Sequence, residues 1–341
     1  MRDFFCPKCG QQLFFENSQC LSCQSSIGFD PETRSFVILD GGGVRVEGTG
    51  ASRCANLKVA VCNWLAPAER PSGRPSGLCM SCALTRTRPA DTDLDALPAF
   101  AEAETAKRRL IFELIELGLP VRGRDVDVET GLCFDLLSSN QEHVVTGHAD
   151  GVITLDLAEG DDAHREQLRV SMAEPYRTLL GHFRHEVGHY YFTVLAGSGD
   201  ARVRFKKLFG NPDADYQAAL DRHYQDGPPS DSQETYVSAY ATMHPAEDWA
   251  ETFAHYLHIR DALDTAAAFG FAPADATLTT PLAGEVGFRR IIDLWLPLAR
   301  SLNMINRSMG HPDLYPFVLP PPALDKMSLV HQLVTTERGA A

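Results

Sequence analysis

His185-Glu186-Val187-Gly188-His189 places two imidazoles four residues apart, with a carboxylate next to the first. On an α-helix, residues four apart stand one above the other. His185 and His189 would therefore present two ring nitrogens to one point. Neutral imidazole is a ligand for zinc, and a catalytic zinc takes three protein ligands and keeps a fourth position for water. A carboxylate at Glu186 would then be the general base of a hydrolysis in which metal and base act on the same water. Two histidines are half of such a site, so a third ligand has to come from elsewhere in the chain.

The spacing demands a helix, and the sequence around it supplies one. Pro175 suits a first helical turn and Gly197 a C-terminal cap, which predicts a helix of about twenty residues through the motif. A second helix is expected from about residue 245 to 263 in "HPAEDWAETFAHYLH", with Pro245 in its first turn. Glu247 and Glu251 share one face of it, and either could complete a His-His-Glu site. His255 lies on the same face and is the rival third ligand. Acidic residues also suit the first turns of any helix through the macrodipole, a reading that needs no metal. His182 is read as a core or orienting histidine, because three ligands from one short stretch crowd a tetrahedral ion. His244 falls at the start of the second helix, while His143 and His148 read as turn or surface residues.

Eight of the nine cysteines precede residue 83. Cys6-Pro7-Lys8-Cys9 and Cys20-Leu21-Ser22-Cys23 form two C-x-x-C knuckles, a pattern that wraps four thiolates around one zinc. Disulfides would require an oxidising compartment that nothing in the sequence suggests. Cys54, Cys62, Cys79 and Cys82 form a second, less regular set and the candidate for a second structural zinc; the alternative is a group of buried apolar thiols. Cys133 reads as a lone buried thiol. Four thiolates leave no position for water, so these clusters are structural and the chemistry belongs to the helix. The expected metal content is one catalytic and two structural Zn2+.

The 341 residues are 44% hydrophobic and 22% charged, as in an ordinary globular protein. Through residue 90 the net charge is +3, beyond it −17, against −14 for the chain. An acidic body disfavours phosphate backbones, so nucleic acid is not the expected partner. No apolar run approaches the ~18 residues of a membrane span, and "MRDFFCPKCG" lacks the apolar stretch of a signal peptide. The expected location is cytoplasmic, with no membrane partner.

Short strands and turns are expected around the first cysteine cluster, with "SFVILD" and "VRVEG" as strands. A helix follows in "AEAETAKRRLIFELIELG" and ends at Gly118. "CFDLLSS", "HVVTGHAD" and "GVITLDLA" read as strands, the last two joined by a hairpin turn. Residues 196 to 236 are rich in turn formers and are expected to line or cover the cleft. Strands followed by helices give an α+β fold. The division expected is a ribbon module over residues 1–90 and a catalytic domain over 91–341.

His185-Glu186-x-Gly188-His189, with Tyr240 seven residues before Glu247 in "YATMHPAEDWAETF", resembles the gluzincin peptidases, and in particular the catalytic domain of anthrax lethal factor. The paired cysteine knuckles with "CNWL", "HFRHEVGHYYF" and "HPAEDWAETFAHYLH" resemble, over nearly the whole chain, a bacterial family of zinc-binding metallopeptidases with an N-terminal zinc ribbon. These resemblances imply a zincin-like, mostly helical metallopeptidase domain acting on a peptide or protein substrate. They imply Glu247 as the third zinc ligand, Glu251 as a carboxylate hydrogen-bonded behind a ligand, and Tyr240 as a hydroxyl donor to the reacting carbonyl oxygen. The ribbon module would recruit a protein partner or regulate the enzyme. A different class of function would make the ribbons the working part, binding protein or nucleic acid, with a helix site that is structural or inactive.

Overall fold

The computed structural model describes residues 2–46, 48–69, 77–139, 144, 146–161, 178–277 and 282–340. Pro175, His143 and residues 70–76 lie outside them. The architecture is α+β, in two compact units: Met1–Phe112 with Val121–His164, and Glu113–Pro120 with Arg165–Ala341.

In the first unit, strands β1 (Phe4–Phe5) and β2 (Gln12–Leu13) pair antiparallel, as do β3 (Ile27–Asp30) with β4 (Ser35–Ile38) and β5 (Ser52–Arg53) with β6 (Leu65–Ala66). Side chains alternate across a strand. Phe4 and Leu13, directly opposite each other, are buried, whereas Phe5 and Phe14 face outward. Phe15, Phe29, Phe36, Trp64 and Phe112 close around Phe4, with ring centroids of 5.1 Å for Phe15 and Phe29 and 5.2 Å for Phe29 and Trp64. Strands this short are marginal alone, and this aromatic core is what they fold around. The strand expected at "VRVEG" is reduced, among the described residues, to one bridge between Arg45 and Ser52.

The larger sheet of this unit has the order β7 (Thr85–Thr87), β8 (Cys133–Leu137), β10 (Val152–Asp156), β9 (Gly147–Ala149). β8 runs parallel to both neighbours, and β9 is antiparallel to β10. Asp150 and Gly151, at φ 49° and 80°, make the two-residue turn between β9 and β10. Positive φ at both turn positions matches the twist of a tight hairpin. Helix α1 (Leu97–Glu116) belongs to this unit through Phe112.

The second unit is built from α2 (Leu179–Tyr191), α3 (Gly199–Phe209), α4 (Tyr216–Asp226), α5 (Pro245–Ala268), α6 (Gly284–Ser308) and α7 (Pro321–Ala340). α2 carries the His-Glu-x-x-His motif but starts later than Pro175 suggested. Thr178 is its N-cap, with the hydroxyl accepting from Gly181 N at 3.0 Å. It passes into a π-helical turn, Phe192–Ala196, with Gly197 as the cap residue. A Cβ on Gly197 would stand 2.6 Å from Thr193 O, which explains the glycine there.

Residues 196 to 236, read as rich in turn formers, also hold two helices, α3 and α4. The turn formers mark the ends of two helices: Asp215 caps α4 through Ala218 N, and Gly210 and Gly227, both at positive φ, follow α3 and α4. Local turn chemistry was legible, but the helices between the turns depend on packing. α5 begins as expected, with His244 as N-cap and Pro245 in the first turn, and runs on to Ala268.

α2 and α5 run in opposite directions and meet at a glycine. A Cβ on Gly188 would lie 3.0 Å from Ala250 Cα and 3.2 Å from Ala250 O. Trp249 Nε1 donates to Gly188 O at 2.8 Å, and Tyr191 stacks on Phe253 at 5.4 Å. Arg184 binds Asp261 at 2.8 Å and Glu113 at 3.0 Å, a buried arrangement in which one guanidinium answers two carboxylates. On its other side α5 is tied to α7 by the buried Lys326–Asp248 pair at 2.6 Å.

The crossing predicts the behaviour of Gly188→Ala. Alanine in a helix interior is favoured by about 1 kcal/mol over glycine, yet here its methyl meets facing backbone, and overpacking of that kind costs about 1–3 kcal/mol. Urea unfolding should show a net loss of up to about 2 kcal/mol. A variant as stable as the parent would mean that the helices separate freely at this point.

Candidate metal centre

The helix crossing sets the geometry of three side chains. His185 and His189 lie on the face of α2 that meets the first turn of α5, where Glu247 is the third helical residue. His185 Nε2 stands 3.0 Å from Glu247 Oε2, His189 Nε2 3.4 Å from the same oxygen, and the two Nε2 atoms 3.3 Å apart. Zinc bonds of about 2.0–2.1 Å in a tetrahedral site place ligand atoms about 3.3–3.4 Å from one another. The three atoms therefore form one face of a zinc-sized tetrahedron, leaving a fourth direction for water.

Hydrogen bonding behind the ligands gives this face its character. Glu251 Oε1 lies 2.7 Å from His185 Nδ1. The carboxylate accepts the Nδ1 proton, which leaves the Nε2 lone pair directed at His189 and Glu247. Ser238 donates to the other Glu251 oxygen at 2.5 Å and accepts from Ala241 N at 3.2 Å, which joins the turn Tyr240–Thr242 to the same chain of contacts. With both imidazoles neutral, the three facing atoms are acceptors about 3 Å apart and repel unless a proton or a metal cation lies between them. Burial opposes charge on His185, but the hydrogen bonds from Glu247 and Glu251 outweigh it and raise its pKa well above the ordinary imidazole value. Burial likewise works to raise Glu247, and the contacts with both histidines overcome it and hold that carboxyl well below the usual range. Glu251 is lowered to about 2 by His185 against its own burial. The macrodipole also favours charge on Glu247 at the helix N-terminus.

Glu186 is buried on the same helix, and burial raises its pKa against the opposing charges of His185 and His189. Its Oε2 is among the buried side-chain atoms with no hydrogen-bond partner in the described structure. The Tyr240 ring faces His185 at a centroid distance of 5.9 Å. Burial and the nearby Glu247 raise the Tyr240 phenol, which keeps it a neutral donor.

The rival assignments go elsewhere. His255 Nδ1 is hydrogen-bonded to the Tyr315 hydroxyl at 2.8 Å, and its ring packs on Phe317 at 4.3 Å. Among the described residues, neither His255 nor His182 belongs to a group whose ligand atoms converge. His244 accepts from Ala246 N through Nδ1, and His148 accepts from Gly151 N in its hairpin turn. Cys133 is buried in β8. Two contacts had no sequence signal: the Tyr216 hydroxyl donates to Glu247 Oε1 at 3.0 Å from 31 residues away, and Ser238 bonds Glu251.

The first unit holds two cysteine groups, Cys6, Cys9, Cys20 and Cys23, and Cys54, Cys62, Cys79 and Cys82, with all ligand atoms within 4.8 Å of one another in each. Cys6 and Cys23 Sγ are 3.7 Å apart, Cys9 and Cys20 3.6 Å, Cys62 and Cys79 3.6 Å. Disulfides need about 2.05 Å, whereas thiolates at about 2.3 Å from a tetrahedral zinc stand about 3.7–3.8 Å apart. Both knuckles of the first group turn alike. Gly10 N and Gln24 N donate to the carbonyls of Cys6 and Cys20, with Gly10 and Gln24 at φ 73° and 58°.

Two family models match the chain. Residues 3–93 match a family model described as a zinc-ribbon domain, and residues 96–333 one described as "Putative zinc-binding metallo-peptidase". Three proteins named as uncharacterized, one from Mycobacterium bovis and two from strains of Mycobacterium tuberculosis, are each 62% identical to the chain over 335 residues, covering 98% of it and 95% of their own length. No solved structure matches. Among the described residues no helix is long and apolar enough to cross a membrane. With a model covering most of its length and a ribbon match ahead of it, the chain belongs to the zinc-binding metallopeptidase family that this model describes.

Proposed function

We propose that the chain hydrolyses peptide bonds in a gluzincin-type site, with His185, His189 and Glu247 as zinc ligands and Glu186 as general base. The observation that carries this reading is the convergence of the three ligand atoms beside a buried carboxylate oxygen that makes no other hydrogen bond. Zinc bound there supplies a Lewis acid that acidifies water and polarises the scissile carbonyl. Glu186 takes the proton of the attacking water and returns it to the leaving amine, a task suited to a carboxyl whose pKa is raised by burial. Tyr240 donates a hydrogen bond to the carbonyl oxygen as negative charge develops on it. Glu251, oriented by Ser238, keeps His185 in the tautomer that offers Nε2 to the metal. The resemblance to the anthrax lethal factor catalytic domain enters here through Tyr240 and Glu247, and it favours a peptide or protein substrate.

The division into a ribbon module, residues 1–90, and a peptidase domain, residues 91–341, belongs to the same proposal. The cysteine groups hold two structural zincs. Phe5 in β1 and Phe14 just after β2, 54% and 72% exposed, contribute nothing to the core beneath them and support a protein partner for the module.

Two experiments test the reading. Elemental analysis should find about three zincs per chain, falling to two in Glu247→Ala; an unchanged content would remove Glu247 from the ligand set. Glu186→Gln should retain the full metal content while cleavage of a random peptide library, followed by mass spectrometry, slows by at least about 100-fold. Cleavage at the parent rate would end the base assignment.

A further inference from the structure

We propose that Tyr216 is a positioning residue for the metal centre: its hydroxyl engages the Glu247 oxygen turned away from the histidines, so that the carboxylate meets a metal through one oxygen only. The inference rests on reading His185, His189 and Glu247 as a zinc site. Glu247 Oε2 faces His185 and His189 at 3.0 and 3.4 Å, while Oε1 accepts from the Tyr216 hydroxyl at 3.0 Å. The two oxygens thus have separate tasks. Without a donor on Oε1, a carboxylate can turn and chelate through both oxygens, filling the position that a water or substrate carbonyl must take.

Tyr216 is held for this role by the cap of the helix that carries Glu247. It is the first residue of α4, and its ring packs on His244 at 5.3 Å. His244 Nδ1 accepts from Ala246 N at 3.1 Å, so the proton is on Nε2, which donates to Ala214 O at 3.2 Å. One imidazole therefore fixes the first turn of α5 and the approach to α4 together, and with them the distance from the phenol to the carboxylate.

Packing does not account for the hydroxyl. Tyr216 is 43% exposed, and Ala219 is the buried residue of α4. Phenylalanine would keep the contact with His244 and lose the hydroxyl, with its bonds to Glu247 and to the Tyr240 hydroxyl. The Tyr240 ring lies beside His185, and its hydroxyl meets that of Tyr216 rather than Glu247 Oε1.

The test uses full-length protein loaded with cobalt(II), whose visible bands weaken as its coordination number rises. Spectra are read as differences from an equally loaded Glu247→Ala protein, which removes the contribution of the cysteine groups. Tyr216→Phe should weaken and shift the bands as Oε1 joins the metal, and competition with a chromophoric chelator should show zinc affinity at this site falling about tenfold. A Tyr216→Phe protein with the parent's bands and affinity overturns the proposal while the zinc site stands. A parent spectrum identical to that of Glu247→Ala overturns the zinc site, and the proposal with it.

Discussion

The second unit of this protein depends on how closely two helices can approach. Gly188 has no side chain to hold Ala250 away, and the indole of Trp249 ties the backbone carbonyl of Gly188 to α5. Only at that separation does a carboxylate as short as Glu247, on the first turn of α5, reach the nitrogens of both His185 and His189. Arg184 and Asp261 fix one end of the crossing, and Lys326 with Asp248 holds α5 from its far side. These ion pairs are buried and mutually compensated, so removing one partner would strand a charge rather than merely delete an attraction.

The cost of the arrangement is a concentration of acidic groups. Glu186, Glu247, Asp248 and Glu251 fall within one crossing, and each is answered differently. Glu247 and Glu251 stay ionised through the histidines, Asp248 is paired with Lys326, and Glu186 is left with its pKa raised by burial. The environments separate four chemically similar groups: two carboxylates against histidines, one against a lysine, and one with a buried oxygen left without a partner. Separation of that kind is how a site runs acid and base chemistry at one pH.

Much of this was legible in the sequence because it is local. A four-residue spacing on a helix states the geometry of His185 and His189, and the C-x-x-C pairs predict their own knuckles. Pro245 marked the start of α5. The choice between Glu247 and Glu251 was not local: both share a face, and which one meets His189 and which one backs His185 depends on the direction and offset of the crossing. Tyr216 and Ser238 were illegible for the same reason, since nothing in their neighbourhoods refers to residues 31 and 13 positions away. The helices between Gly197 and Tyr236 were not legible because glycines and aspartates are equally good at ending a helix and at making a loop.

The three tryptophans of the chain lie in three distinct settings, all nearly inaccessible to water. Trp64 packs in the aromatic core of the first unit, Trp249 in the helix crossing with its N–H engaged, and Trp295 on α6 against Tyr315. Intrinsic fluorescence is therefore a composite of separate reporters. With the other two indoles replaced by phenylalanine, emission from Trp249 would follow the helix crossing, one residue from Asp248 and two from Glu247, and emission from Trp64 would follow the cysteine-rich unit. The protein carries optical labels that can time the opening of each unit without any dye.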